Sequence, residues 1–267
     1  MLDRLWVNIA VQMKFYRRNR LLLVVGLLFL LLSAISIIFS FVFGSTTGRF
    51  EIVRSVLTQA GTFAFLFVGG LSLFSISAHL RNRSLKMVLT KPCPPEIWLG
   101  SVYLSATLIA GALFAVIAGG TALLCWIWGI PIQSGFFLVA LRGLSGALVA
   151  SFYLGFLSVV MHPVMAVLLA VLLNEGVFYG LRFALLTAIR TTGGNPLLPV
   201  FEKATYLLYM TLPVFDPYAE KVAAAEASLR ATPADWRVLL QAGGYTLTVG
   251  ALFYCLSLFF LKRKNLM

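Results

Sequence analysis

Long apolar runs separated by short polar breaks dominate this chain. Leu21–Gly44 is the first of them. A bilayer's hydrocarbon core, about 30 Å thick, needs about 20 apolar residues at 1.5 Å rise per residue, and this run meets that. Further runs at Gly61–His79, Ile97–Ile130, Gly135–Met161, Val164–Ile189 and Trp236–Leu261 bring the predicted spans to six. The third exceeds a bilayer's thickness and is expected to tilt or project from it.

The segments between the runs carry their own patterns. In residues 1–20, Leu2, Leu5, Trp6, Ile9, Met13 and Tyr16 recur at helical spacing, with Arg4, Asn8, Gln12, Lys14, Arg17 and Arg18 largely between them. That predicts an amphipathic helix in the membrane interface; a plain basic flank is the alternative. The outer loop, 191–235, opens on the breakers Gly193, Gly194, Asn195 and Pro196. Its stretch Leu197–Leu212 is too apolar for a free loop and predicts a short re-entrant or interfacial helix. Asp216-Pro217 should open an Ala-rich helix to about Leu229. The last span has a start signal: Thr232 as cap, Pro233 at the first helical position, Asp235 in the first turn and Trp236 as interface anchor.

Composition agrees. Of the 267 residues 60% are hydrophobic and 11% charged, against about 25% charged in a soluble domain, and the mean hydropathy is +0.95. Too few polar residues exist to cover a soluble surface, so soluble enzymes, nucleic-acid binders and disordered chains are excluded. The fold class is all-α: one polytopic transmembrane domain over 1–267. The first run is too long for a cleaved signal peptide's core. Cys93, Cys125 and Cys255 are far apart and form neither a disulfide framework nor a zinc motif.

The basic residues set an orientation. With both termini cytoplasmic, the inner segments hold twelve: Arg4, Lys14, Arg17, Arg18, Arg20, Arg81, Arg83, Lys86, Lys91, Lys262, Arg263 and Lys264. The longer outer segments hold seven: Arg49, Arg54, Arg190, Lys203, Lys221, Arg230 and Arg237. Six acids accompany those seven, so the density of positive charge favours both ends inside. The net charge of +12 is then mainly a topology signal.

Chemistry of its own is sparse. No GxxxxGK[ST] loop exists to bind ATP. His79 and His162 lie at the ends of different spans without a second ligand at metal spacing, so no metal site is expected. Gly143-Leu-Ser145-Gly146 lacks the spacing of a nucleophile elbow. Together with Gly69-Gly70, Gly111 and Gly119-Gly120 it reads as close helix packing, in a tight bundle or a dimer seam. Charge at membrane depth marks candidate sites. Glu175 lies near the midplane of the fifth span, with Arg182 seven residues on, and Arg142 lies inside the fourth. They line a polar translocation path, or Glu175 pairs structurally with an arginine while Arg182 snorkels outward.

The most informative stretch joins the second and third spans: HLRNRSLKMVLTKPCPPEIWLGSVYL, from His79. Arg83–Thr90 can form a short helix, and Lys91-Pro92-Cys93-Pro94-Pro95 stops it. Pro95-Glu96 then restarts a helix into the membrane. Residues 80–96 thus form a stiff, basic, partly apolar knuckle, suited to docking a soluble partner. With six spans and an interfacial N-terminal helix, this linker resembles that of the permease subunits of type-2 ABC exporters. Lys91-Pro92 and Leu99-Gly100 match the family's linker. Phe260–Leu266 resembles its closing basic motif, and Leu212-Pro213-Val-Phe215 its outer-loop turn. Where the family often has an acid before the linker helix, this chain has His79–Arg83.

The resemblance implies a non-enzymatic translocation subunit of a bacterial inner membrane, working with a second permease copy or a related permease. ATP and Mg would sit on a separate cytoplasmic ATPase, which presses on a coupling helix through Arg83, Leu85, Lys86, Leu89, Lys91 and Pro92. The chain itself is expected to hold no cofactor. Two alternatives stay open: a subunit of this family that couples ATP hydrolysis to mechanical work or extracytoplasmic assembly, and a secondary transporter.

Overall fold

A computed structural model describes residues 2–18, 49–81, 94–173, 175–192, 197–215 and 230–265. All secondary structure among them is helical: α1 Leu2–Arg18, α2 Arg49–Arg81, α3 Pro95–Ile127, α4 Ser134–Val160, α5 Pro163–Leu172, α6 Glu175–Thr192, α7 Leu197–Thr211 and α8 Pro233–Asn265. Five stretches are long and apolar enough to cross a membrane: Val53–Ala78, Pro95–Ile127, Ser134–Val160, Pro163–Thr191 and Pro233–Arg263. They coincide with five of the six expected spans and are compatible with a multi-pass membrane protein. The first expected span, Leu21–Gly44, lies outside the described residues, as do Arg83–Lys91 and Pro217–Leu229.

The ends of α3 and α8 follow the sequence signals. Pro95 and Glu96 occupy the first turn of α3, and Gly129, at φ 67°, supplies the left-handed residue just past its other end. At the start of α8, the Thr232 amide and hydroxyl both donate to Asp235 Oδ2 at 2.7 Å, and the Asp235 amide reaches back to Thr232 Oγ1 at 3.4 Å. This reciprocal cap satisfies helix-end donors that would otherwise lie unpaired.

Two boundaries differ from the sequence reading. Helix α2 begins twelve residues before Gly61. Arg49, Glu51 and Arg54 dilute the hydropathy there, but Val53, Val56 and Leu57 recur on one face and are buried. The fifth span is two helices: Leu173 leaves helical geometry at φ −93°, ψ 25°, and α6 opens at Glu175. Both sides of the break are apolar, so hydropathy reads straight across it.

Helix α4 is the hub, packing most extensively on α2, then on α8, α3 and α5, while α1 lies against α3. One core cluster joins Leu57, Ala64 and Val68 of α2 to Phe114 and Ile117 of α3 and Phe136 of α4. At the other end Ile76, Trp98, Tyr103, Val159 and Leu261 join α2, α3, α4 and α8. Close approach depends on glycines whose missing side chains a neighbour occupies. A Cβ at Gly155 would lie 2.6 Å from Tyr103, one at Gly143 2.8 Å from Phe114, and one at Gly250 2.8 Å from Phe152. Gly70, Gly111, Gly119 and Gly120, equally small in sequence, face open space among the described residues.

Interhelical hydrogen bonds stitch the same contacts. The Ser72 and Ser151 hydroxyls pair between α2 and α4. Ser145 meets Thr246 at 2.6 Å, and Tyr103 meets Ser257 at 3.0 Å. In an apolar surrounding these bonds satisfy groups that would be costly to leave unpaired.

Candidate functional site

Among the described residues, three places gather polar chemistry. The first is the end of the bundle where α2 finishes, α3 begins and α8 finishes. Lys262 Nζ of α8 lies 2.6 Å from Glu96 Oε1 in the first turn of α3. The Tyr254 hydroxyl donates to the Glu96 carbonyl at 3.0 Å. Helix α1 covers the same end, with Ile9, Gln12 and Tyr16 buried. Ser75 of α2 donates to Gln12 Oε1 at 3.5 Å. Burial raises the pKa of the Tyr16 hydroxyl, which therefore stays neutral. The expected apolar face is thus split. Ile9 and Tyr16 turn into the bundle, with Leu5 half-buried, while Trp6, Val7 and Val11 form an exposed apolar strip beside Lys14 and Arg17. Arg81 and Pro94, which flank the linker, emerge at this same end.

The second place is a cavity of about 250 Å³ between α2, α3 and α4, near the opposite end. Arg142 lines it, facing Thr58, Gly61 and Thr62 of α2 and Phe114 of α3. Residues 212–215, just past α7, close one wall. The Val214 amide donates to the Tyr245 hydroxyl at 2.9 Å, and the Phe215 ring sits 5.5 Å from Phe65 and 6.0 Å from Tyr153. The Phe215 carbonyl lies 3.2 Å from where a Cβ at Gly146 would be. Gly146 is near the middle of α4, so Leu212–Phe215 reaches deep into the bundle. A larger residue at 146 would push it out.

The third place is the α6–α7 pair, whose main packing is with each other. Arg182 of α6 donates through Nε to Glu202 Oε1 of α7 at 2.8 Å, and its guanidinium stands 4.4 Å from the centre of the Tyr206 ring. Arg and acid are partly shielded, with side-chain exposures of 36% and 17%. A charge in this position is stabilised by its counter-ion and by the ring face together. This clasp pins α7 along α6.

The three intramembrane candidates therefore occupy different settings. Arg142 lines the α2–α3–α4 cavity, Arg182 is committed to Glu202, and Glu175 opens α6 directly after the break in the fifth span. The coupling candidates Arg83, Leu85, Lys86, Leu89, Lys91 and Pro92 lie outside the described residues. Sequence reasoning missed Glu202 as the partner of Arg182, although an acid within the apolar stretch 197–212 was the available signal. It also missed Thr58 and Thr62 opposite Arg142, which no local pattern marks. Among the described residues no group of His, Cys, Asp and Glu is placed to hold a metal. The chain matches no protein-family model and no curated protein.

Proposed function

We propose that this chain is the transmembrane subunit of an ATP-binding-cassette exporter, driven by a separate cytoplasmic ATPase that carries ATP and Mg. The observation that carries the reading is the gathering of α1, the end of α2, the start of α3 and the end of α8 on one face. The linker of residues 82–93 must leave and return there, because Arg81 and Pro94 bound it. A push delivered to that linker reaches α3 through Pro95 and α8 through the Glu96–Lys262 pair. Both helices are 33 residues long, about 50 Å, and rigid enough to carry the motion across the bundle. The resemblance of the linker to type-2 exporter permeases supplies the identity of the pusher. In this reading both termini are cytoplasmic in a bacterial inner membrane, a second permease completes the path, and Arg142, Glu175 and Arg182 are the path's candidate residues.

The linker's apolar residues test it. Leu85 and Leu89 are four apart, hence on one face of a helix. Burying one leucine is worth about 1.5–3 kcal/mol, so replacing both with Asp removes that and places charge in the contact. Leu85→Asp with Leu89→Asp should leave the protein inserted in the membrane while abolishing both copurification of the ATPase and its stimulated hydrolysis. Retention of both at wild-type levels would refute the coupling role.

A further inference from the structure

We infer that Leu212–Phe215 is a releasable plug, a non-helical strap seated inside the bundle whose withdrawal joins the α2–α3–α4 cavity to the core face behind Phe215. This rests on the packing of the bundle, and on neither transport nor an ATPase. Two anchors give the strap's depth. Gly146 stands twelve residues past Ser134 at the start of α4, and Tyr245 twelve past Pro233 at the start of α8. The two starts lie side by side, since the Ala231 amide donates to Ser134 Oγ at 3.2 Å. Twelve helical residues span about 18 Å, more than half of a hydrocarbon core about 30 Å thick.

Non-helical backbone at that depth is tolerated only where protein buries it or a cavity adjoins it. The strap meets both conditions. Pro213 has no N–H to satisfy. The Leu212 amide still donates to the Leu208 carbonyl at 3.1 Å, and the Val214 amide donates to the Tyr245 hydroxyl at 2.9 Å. On one side Phe215 lines the cavity with Phe65, Gly143 and Gly146. On the other it packs against the cluster of Val149, Tyr153, Val249 and Phe253. Phe215 is thus the partition between them, and the four strap residues, all apolar and half-buried, block the space without placing a polar side chain in it.

The strap is held by few contacts, and the element that carries it is loosely attached. One hydrogen bond to Tyr245, a carbonyl in the notch at Gly146, and the ring contacts with Phe65 and Tyr153 seat it. Helix α7, which leads into the strap, packs on α6, and neither packs substantially on α2, α3, α4 or α8. The Arg182–Glu202 clasp makes α6 and α7 one body. That body joins the hub through the backbone break at Leu173 and through the strap. A swing about the break moves the strap while the hub helices keep their mutual contacts.

The test uses the full chain, with whatever subunits copurify, in lipid nanodiscs without nucleotide. Hydrogen exchange should show the Val214 and Phe215 amides exchanging well before residues 147–151 of α4, which open only with the bundle, yet more slowly than in a free peptide. Tyr245→Phe keeps the ring and removes the acceptor of the Val214 amide. It should speed strap exchange about three- to tenfold, the weight of one hydrogen bond, and leave residues 147–151 unchanged. Val149, 0% exposed behind Phe215, reports the uncovering. With Cys93, Cys125 and Cys255 replaced, alkylation of Val149→Cys by N-ethylmaleimide should rise by the same factor in Tyr245→Phe. Gly146→Leu occupies the place of the Phe215 carbonyl and should bring strap exchange to the free-peptide rate, while Gly70→Leu, into open space, should not. If Gly146→Leu fails to fold, Tyr245→Phe alone decides. Strap amides that exchange only with residues 147–151, or at the free-peptide rate in the wild type, would overturn the proposal, because the strap would then be a fixed wall or never seated. Alkylation of Val149→Cys that ignores Tyr245→Phe would overturn it too, because the strap would then cover nothing.

Discussion

Replacing Gly155 by alanine adds one carbon atom to the joint of α3, α4 and α8, and its cost follows from the geometry. The new Cβ would lie 2.6 Å from Tyr103 Cε1 and 2.8 Å from its hydroxyl. Tyr103 is 4% exposed and cannot swing clear. Its ring lies 5.1 Å from Phe152 and 6.4 Å from Tyr254, and its hydroxyl is bonded to Ser257. Overpacking a filled site costs about 1–3 kcal/mol, and loss of the Tyr103–Ser257 bond adds about 1 kcal/mol. Alanine's better helix propensity returns about 1 kcal/mol. The expected net destabilisation is about 1–3 kcal/mol, read from denaturant titration of the purified chain in mixed micelles. Gly111→Ala is the matched control: the same exchange in a helix, into open space, should be neutral or stabilising by up to about 1 kcal/mol. Gly155→Ala combined with Tyr103→Leu should be better than additive by about 1 kcal/mol or more, since the pair is in contact. Equal effects of Gly155→Ala and Gly111→Ala would refute the packing argument.

Three further outcomes can be measured. Glu202→Gln and Arg182→Gln should each loosen α7 from α6, with a coupling in the double-mutant cycle of about 1–2 kcal/mol, between the values for exposed and buried ion pairs; additive effects would mean the clasp contributes nothing. Glu175→Gln should lower the amount of assembled protein if the carboxylate is a structural partner, and leave assembly intact but stop transport if it lines the path; normal assembly with full transport removes it from both roles. Ala225→Cys, in a background without Cys93, Cys125 and Cys255, should react with an impermeant thiol reagent outside intact cells, and labelling only after lysis would reverse the orientation.

Features written locally in the chain were legible. Thr232, Pro233 and Asp235 announce the start of α8, and Pro95 with Glu96 that of α3, because caps and first-turn preferences act within four residues. Five of the six apolar runs were legible as long helices, because twenty apolar residues in a row have few alternatives. The extra turns of α2 were not, since Arg49, Glu51 and Arg54 mask a buried stripe. Nor was the break at Leu173, which changes backbone angles without changing hydropathy. Partnerships across the chain were hidden: an acid in the apolar stretch 197–212 singles out Glu202 without naming Arg182 as its partner, and no local pattern pairs Lys262 with Glu96, because folding brings them together. The same holds for glycine. Gly155 and Gly111 are identical letters in apolar helices, and only the position of Tyr103 makes one of them costly to replace.

The central claim is that an ATPase drives this chain through the face where α1, α3 and α8 meet. The most direct measurement is the subunit composition and nucleotide turnover of the assembly extracted in mild detergent from its own membrane. The account predicts two permease chains with two copies of a Walker-motif ATPase, whose hydrolysis changes when the permease is stripped away. An intact, transport-competent assembly containing this chain and no nucleotide-hydrolysing subunit would contradict it.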